Sequence, residues 1–200
     1  MKTKDLILDV AAKEFAKVGF DALSMNNLVK KLDINKATIY YHFKDKRSLY
    51  NEVIKSEMTR GNNNIKAIFD QNKDPKELFK DYIEAIVFSI KQNPYIVSLA
   101  LREKANFGVN VDESFIPHLD EETRYLEDII KKLNLKEKYK SMDSYAVHSF
   151  IYGTIETFYT IKMSNLPLAN DNELKLNSEK TLNYIAELLS NILLDAIVEK

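Results

Sequence analysis

The stretch from Ser24 to Lys46, SMNNLVKKLDINKATIYYHFKDK, constrains this chain more than any other. It predicts two short helices around a tight turn, then the start of a third. Ser24 is a residue type whose side chain accepts from a first-turn N–H, and so predicts an N-cap. Leu28, Val29 and Leu32 follow at helical spacing and give the first helix one apolar face. Asp33-Ile34-Asn35 reads as the turn: Asp tolerates left-handed backbone, Ile34 can plug inward, and Asn35 can cap a helix running from Lys36 to His42. At about 100° per residue, Ile39 and Phe43 fall on one side of that helix with Tyr40 beside them. Ala37, Thr38 and Tyr41 fall opposite, with His42 at the edge. A compact outer face with lysines nearby fits the DNA major groove, which admits one α-helix. Helix-turn-helix modules place their second helix in that way.

The pattern Phe15, Gly19-Phe20, Ser24, Leu28, Ile34 through Lys46, and Leu49 resembles the DNA-binding end of the TetR family of bacterial transcriptional regulators, over about the first quarter of the chain. Two positions depart from the family pattern. Asp33 and Ala37 stand where Gly is common, and Ala37 leaves slightly less room for close approach to DNA. The resemblance implies a dimeric one-component regulator, a repressor on a palindromic operator, released by a small-molecule inducer. On that basis Ser24, Tyr41, His42 and Lys46 are the candidate phosphate contacts. Asn35, Lys36, Ala37 and Thr38 are the candidate readers of base edges, Lys36 toward guanine and the Ala37 and Thr38 methyls toward thymine. Tyr40 steadies the helix and offers a hydroxyl to phosphate.

The rest of the sequence fits an all-α chain of about nine helices. Gly and Pro number four each, and strand-like alternation is missing. There is no Cys, which excludes disulfides and thiolate chemistry. No apolar run is long enough for a membrane span and no signal-peptide core opens the chain, so a cytoplasmic protein is expected. The net charge is −1, but residues 1–60 hold twelve Lys and Arg against eight Asp and Glu, and residues 61–200 hold seventeen against twenty-two. The basic excess therefore lies with the part that carries the helix-turn-helix pattern, as phosphate attraction requires. The expected division is a helix-turn-helix domain over 1–60 and a helical regulatory and dimerisation domain over 61–200.

Taken in order, residues 3–18 predict an amphipathic helix stopped by Gly19. Asp45 predicts the cap of a helix opening on Lys46-Arg47. Those cations oppose the helix dipole there, and the reading assigns them to phosphate. Gly61-Asn62-Asn63-Asn64 are poor helix formers and predict a kink at the domain boundary, with a hinge role for it. Helices are expected over 76–92, from Pro94 to about Asn106, over about 116–133, over 142–164 (apolar nearly all round) and over 178–198, with Leu166 to Asn177 a polar connection. The helices of 142–164 and 178–198 carry more apolar surface than one small bundle hides, and predict a homodimer interface. The region between Lys76 and Tyr159 is rich in rings. By the resemblance it encloses the inducer pocket, with Tyr82, Phe88, Arg102, Tyr125, Phe150 and Phe158 as candidate lining; the alternative is that these rings pack the core.

The rival class is a helical ligand-binding or di-metal bundle enzyme. Its Glu-x-x-His pairs are absent: Ile39, Phe115 and Tyr145 stand three residues before His42, His118 and His148. No phosphate-cradling glycine loop, HExxH or GxSxG occurs either. No catalytic residue, metal or cofactor is expected.

Overall fold

The computed structural model describes residues 3–68, 72–163 and 178–199. Nine α-helices appear among the described residues: α1 (Thr3–Ala22), α2 (Met25–Leu32), α3 (Lys36–His42), α4 (Lys46–Ile68), α5 (Pro75–Gln92), α6 (Tyr95–Ala105), α7 (Ile116–Lys132), α8 (Ser144–Met163) and α9 (Ser178–Ile197). Single 3-10 turns occupy Glu113–Phe115 and Glu137–Tyr139, and Leu135 and Val198 form one isolated antiparallel bridge. The expected connection Leu166 to Asn177 lies outside the described residues. Among those described, no helix is long and apolar enough to cross a membrane, and no group of three or more His, Cys, Asp or Glu is placed to hold a metal ion.

The local signals end the helices where the residue chemistry says they should. Gly19 breaks α1 with φ 83° and ψ 171°, a conformation that a Cβ disfavours. Asp33 takes the left-handed conformation after α2, with φ 50° and ψ 43°. Asp45 accepts from the backbone N–H of Ser48 at 2.7 Å, while the Ser48 hydroxyl lies 2.9 Å from the Asp45 N–H, a reciprocal cap on α4. Ser24 occupies the cap position of α2 in extended conformation, but its hydroxyl makes no capping bond; only its carbonyl accepts from Leu28 N–H.

The chain forms two compact units. One joins Met1–Arg60 with Asn93–Leu119, and the other joins Gly61–Gln92 with Asp120–Lys200. One division falls between Arg60 and Gly61, and residues 93–119 side with the first sixty. Their reason is visible in the first unit's core, where Leu99 of α6 is fully buried with Phe15, Leu28, Ile39, Leu49 and Val53. With 93–119 included, the first unit holds fourteen Lys and Arg against eleven Asp and Glu.

The expected kink at Gly61 is absent, for α4 runs unbroken from Lys46 to Ile68. Asn62 is buried and donates to Glu121 at 3.1 Å, Asn64 donates to Ser89 at 2.9 Å, and Ile65 is buried. These contacts within the second unit outweigh the weak propensities of Gly and Asn. In that unit α5 buries Leu78, Phe79, Tyr82, Ile83, Ile86, Val87 and Ile90, and packs against α9, which also packs against α8. The expectation that α8 is buried on several sides fails. Val147, Ile151 and Ile155 face inward, whereas Phe150 is 54 % exposed and Tyr145 and Ile161 are exposed as well.

Candidate nucleic-acid interface

The helix-turn-helix is held from beneath by α1. Phe15 stands edge-on to Tyr50 at 4.7 Å between centroids, and Phe20 does so at 5.2 Å. On α3, Ile39 is fully buried and Phe43, just after its last turn, nearly so. That side is the anchor, at about 1.5–3 kcal/mol for each large apolar side chain taken from water. The opposite side is open. Ala37 is exposed, Tyr41 is 85 % exposed, and Asn35, Lys36 and Tyr40 are exposed beside them. Thr38 and His42 are half-buried, and the His42 ring lies 5.1 Å from that of Tyr41. The predicted outer side chains are therefore brought together on one face.

Several of these groups already have work inside the unit. Asn35 Oδ1 accepts from Thr38 N–H at 2.8 Å and from the Thr38 hydroxyl at 3.0 Å. Lys36 Nζ lies 5.8 Å from the centre of the Tyr40 ring. Lys46 Nζ donates to the carbonyl of Asp21 at 3.1 Å and sits 4.7 Å from the Phe20 ring centre. Arg47 donates to the carbonyl of Val109 at 3.2 Å. The expectation that only phosphate accounts for the Lys46-Arg47 pair is corrected: each cation meets a carbonyl of its own unit, which offsets the unfavourable helix dipole. Ser24 is exposed, with its hydroxyl uncommitted to a cap.

A second set of contacts escaped the sequence reading. Tyr50 donates to Glu103 Oε1 at 2.6 Å, Asn110 Nδ2 donates to the same oxygen at 3.2 Å, and Asp112 N–H donates to Asn51 Oδ1 at 2.9 Å. Burial, reinforced by Glu103, pushes the Tyr50 hydroxyl far above its usual range. The loop after α6 also carries Phe107 and Gly108 in left-handed conformation, and Phe107 is 98 % exposed. Two of these pairings span fifty-three and sixty-one residues, and leave no local periodicity for a sequence to show.

The six inducer-pocket candidates do not converge. Arg102 belongs to the first unit, where its guanidinium donates to the carbonyls of Ala16 and Lys17, just before the break in α1 at Gly19. Gly19 interrupts the helix just beyond those carbonyls, and the arginine gives them donors there. Tyr82 is buried in the second unit and shares a 2.9 Å hydrogen bond with His148 Nδ1. Burial raises its hydroxyl pKa first, and the charge of Glu122 second. Phe88 is half-exposed on an open groove of about 800 Å³ lined also by Lys80, Glu84, Lys91 and Glu187. Phe150 and Phe158 line a shallow depression on α8 with Gly153 and Ile161, and Tyr125 is half-buried on α7. Periodicity ranks positions as apolar but does not say which apolar face meets which neighbour.

Comparison with known proteins agrees with this geometry. Residues 7–53 match the model of the tetR family of bacterial regulatory proteins. The biofilm operon icaADBC HTH-type negative transcriptional regulator IcaR of Staphylococcus aureus strain Newman is 37 % identical over 70 residues, which are 35 % of this chain and 37 % of that protein. The HTH-type transcriptional regulator QacR of S. aureus strain Mu50 is 34 % identical over 84 residues, 42 % of this chain and 45 % of that one. The matched stretches thus span less than half of each curated relative. Over almost the whole length, the chain shares its fold with the fatty acid degradation regulator FadR from Bacillus halodurans (TM-score 0.70, 16 % identity, covering 94 % of this chain and 95 % of that one). The first helices of the chain are thus similar to the DNA-binding end of the tetR family of bacterial regulatory proteins over residues 7–53, and the all-helical fold that follows is shared with solved structures.

Proposed function

We propose that the chain is a transcriptional regulator that acts in the cytoplasm as a homodimer, with α3 of each subunit in successive major grooves of a palindromic operator. The carrying observation is the two-sided character of α3: Ile39 and Phe43 are sealed inside while Ala37 and Tyr41 stand open. An open face of small side chains beside an exposed lysine fits the major groove, which admits one α-helix. Lys36 and the Ala37 and Thr38 methyls address base edges, and Ser24, Tyr40, Tyr41, His42 and Lys46 address phosphates; Lys46 must first leave the Asp21 carbonyl. The domain reading is a DNA-binding domain centred on residues 1–60 and a helical regulatory domain over the remainder, with α6 supporting the former.

The apolar stripe of α8 (Phe150, Phe158, Ile161) and that of α9 (Tyr184, Leu188, Ile192) are the surfaces a second copy would cover. A four-helix contact between two copies would bury these exposed stripes, and their exposure in the single subunit supports dimerisation. Repression is the favoured mode, and IcaR is itself a negative regulator. A small molecule received among the helices of the second unit is the proposed releasing signal. The test is selection from random DNA with the purified full chain, followed by affinity measurements in rising salt. The reading expects an inverted repeat with half-sites roughly 34–36 Å apart or a multiple of it, and a log–log salt slope well below zero. Enrichment of no sequence, or salt-independent binding, would refute it.

A further inference from the structure

Asn35 was expected among the base readers, and its hydrogen bonds argue otherwise. Reading adenine takes both ends of an amide at once, the carbonyl oxygen accepting and the NH2 donating. A carbonyl oxygen has two lone pairs. Both are used in Asn35, one by the Thr38 N–H at 2.8 Å and one by the Thr38 hydroxyl at 3.0 Å. Bidentate contact with a base would therefore uncap α3 and release Thr38 together.

The same bonds decide what Thr38 offers. Threonine in a helix divides its side chain between two rotamers because its hydroxyl can be held in either. Here the hydroxyl proton is spent on Asn35, which selects one rotamer and leaves the γ-methyl as the group to present. Ala37, exposed beside it, adds a second methyl. The leading turn of α3 thus carries two methyls next to the ammonium of Lys36. Among base edges in the major groove, only thymine presents a methyl to meet them.

We propose that Asn35 is a positioning residue that locks Thr38, and that the locked Thr38 methyl, with that of Ala37, makes a thymine 5-methyl the specificity determinant of each half-site. This rests on the DNA-reading role proposed above. The experiment starts from the half-site obtained by selection and replaces each thymine with deoxyuridine, which removes the methyl and leaves every hydrogen-bonding group. For the unaltered chain, one thymine per half-site should matter, with a loss of about fourfold per half-site and about fifteenfold for the symmetric pair.

Four variants separate the causes. Thr38→Val keeps the methyl and should keep the thymine-over-uracil ratio. Thr38→Ser keeps the hydroxyl and should lower the ratio to what the Ala37 methyl alone supplies. Asn35→Asp keeps the acceptor and should keep the ratio even if charge lowers overall affinity, whereas Asn35→Gly keeps a tolerable cap without the lock and should reduce the ratio. An enriched half-site in which no thymine methyl matters overturns this proposal alone, as does discrimination undiminished in Thr38→Ser or lost in Thr38→Val. A selection that enriches nothing overturns the regulator reading, and this one with it.

Discussion

At the scale of single residues, Tyr50 shows how much a buried donor can carry. Its ring packs on Phe15 and Phe20, and its hydroxyl holds a Glu103 carboxylate whose Oε2 is buried without a partner. Tyr50→Phe preserves the ring contacts and removes that donor. We expect destabilisation of about 1–3 kcal/mol by urea unfolding, because the acceptor stays buried. Asp45 gives a pH-dependent counterpart. The Ser48 backbone N–H first, and the Ser48 hydroxyl second, hold its carboxyl below the ordinary 3.8. A folded value below the unfolded one means stability that is present above pH 3.8 and lost as pH falls through the folded value. Ser48→Ala keeps the backbone donor and loses the hydroxyl. In a carboxyl NMR titration Asp45 should move part of the way back up, and the acid limb of the stability curve should become shallower.

At the scale of elements, two glycines should answer the same substitution with opposite signs. Gly19 breaks α1 at φ 83°, and a Cβ there would also meet Arg102 Nη1 at 3.1 Å. Gly19→Ala should destabilise by about 1–2 kcal/mol. Gly61 lies inside the unbroken α4 with open space around its Cβ position, so Gly61→Ala should stabilise by about 0.5–1 kcal/mol. Chemical denaturation of the two variants beside the parent reads both. The pair also marks how far sequence reasoning reaches. Helix ends were legible because Gly19, Asp33, Asn35 and Asp45 act on their own neighbours within four residues. The continuity of α4 was not, because it depends on Asn62 meeting Glu121 and Asn64 meeting Ser89. The α3 surface was legible from its wheel, since one buried side fixes the other. The support that Arg102 gives to α1 was not legible for the converse reason: its partners lie eighty-five and eighty-six positions away.

At the scale of the whole molecule, the two units divide the labour that the sequence only outlined. The first gathers the basic excess with the open face of α3, and draws α6 in as a support. The second keeps its apolar interior for α5, α7, α8 and α9 and still leaves rings on α8 and α9 in water. Ile192 is 53 % exposed, so Ile192→Asp should leave the subunit folded by circular dichroism yet halve the mass seen by light scattering, if that face pairs two copies. Gly153, on the α8 stripe, has nothing within 4 Å of its Cβ position, and the chain has no cysteine. An isologous pairing must bring some position opposite itself. A lone thiol walked along Ser149, Gly153 and Thr157 would then have only its own twin to react with, and mild oxidation should weld two chains at whichever rung approaches the twofold axis within the 4.4–6.8 Å that a disulfide spans between Cα atoms, roughly speaking.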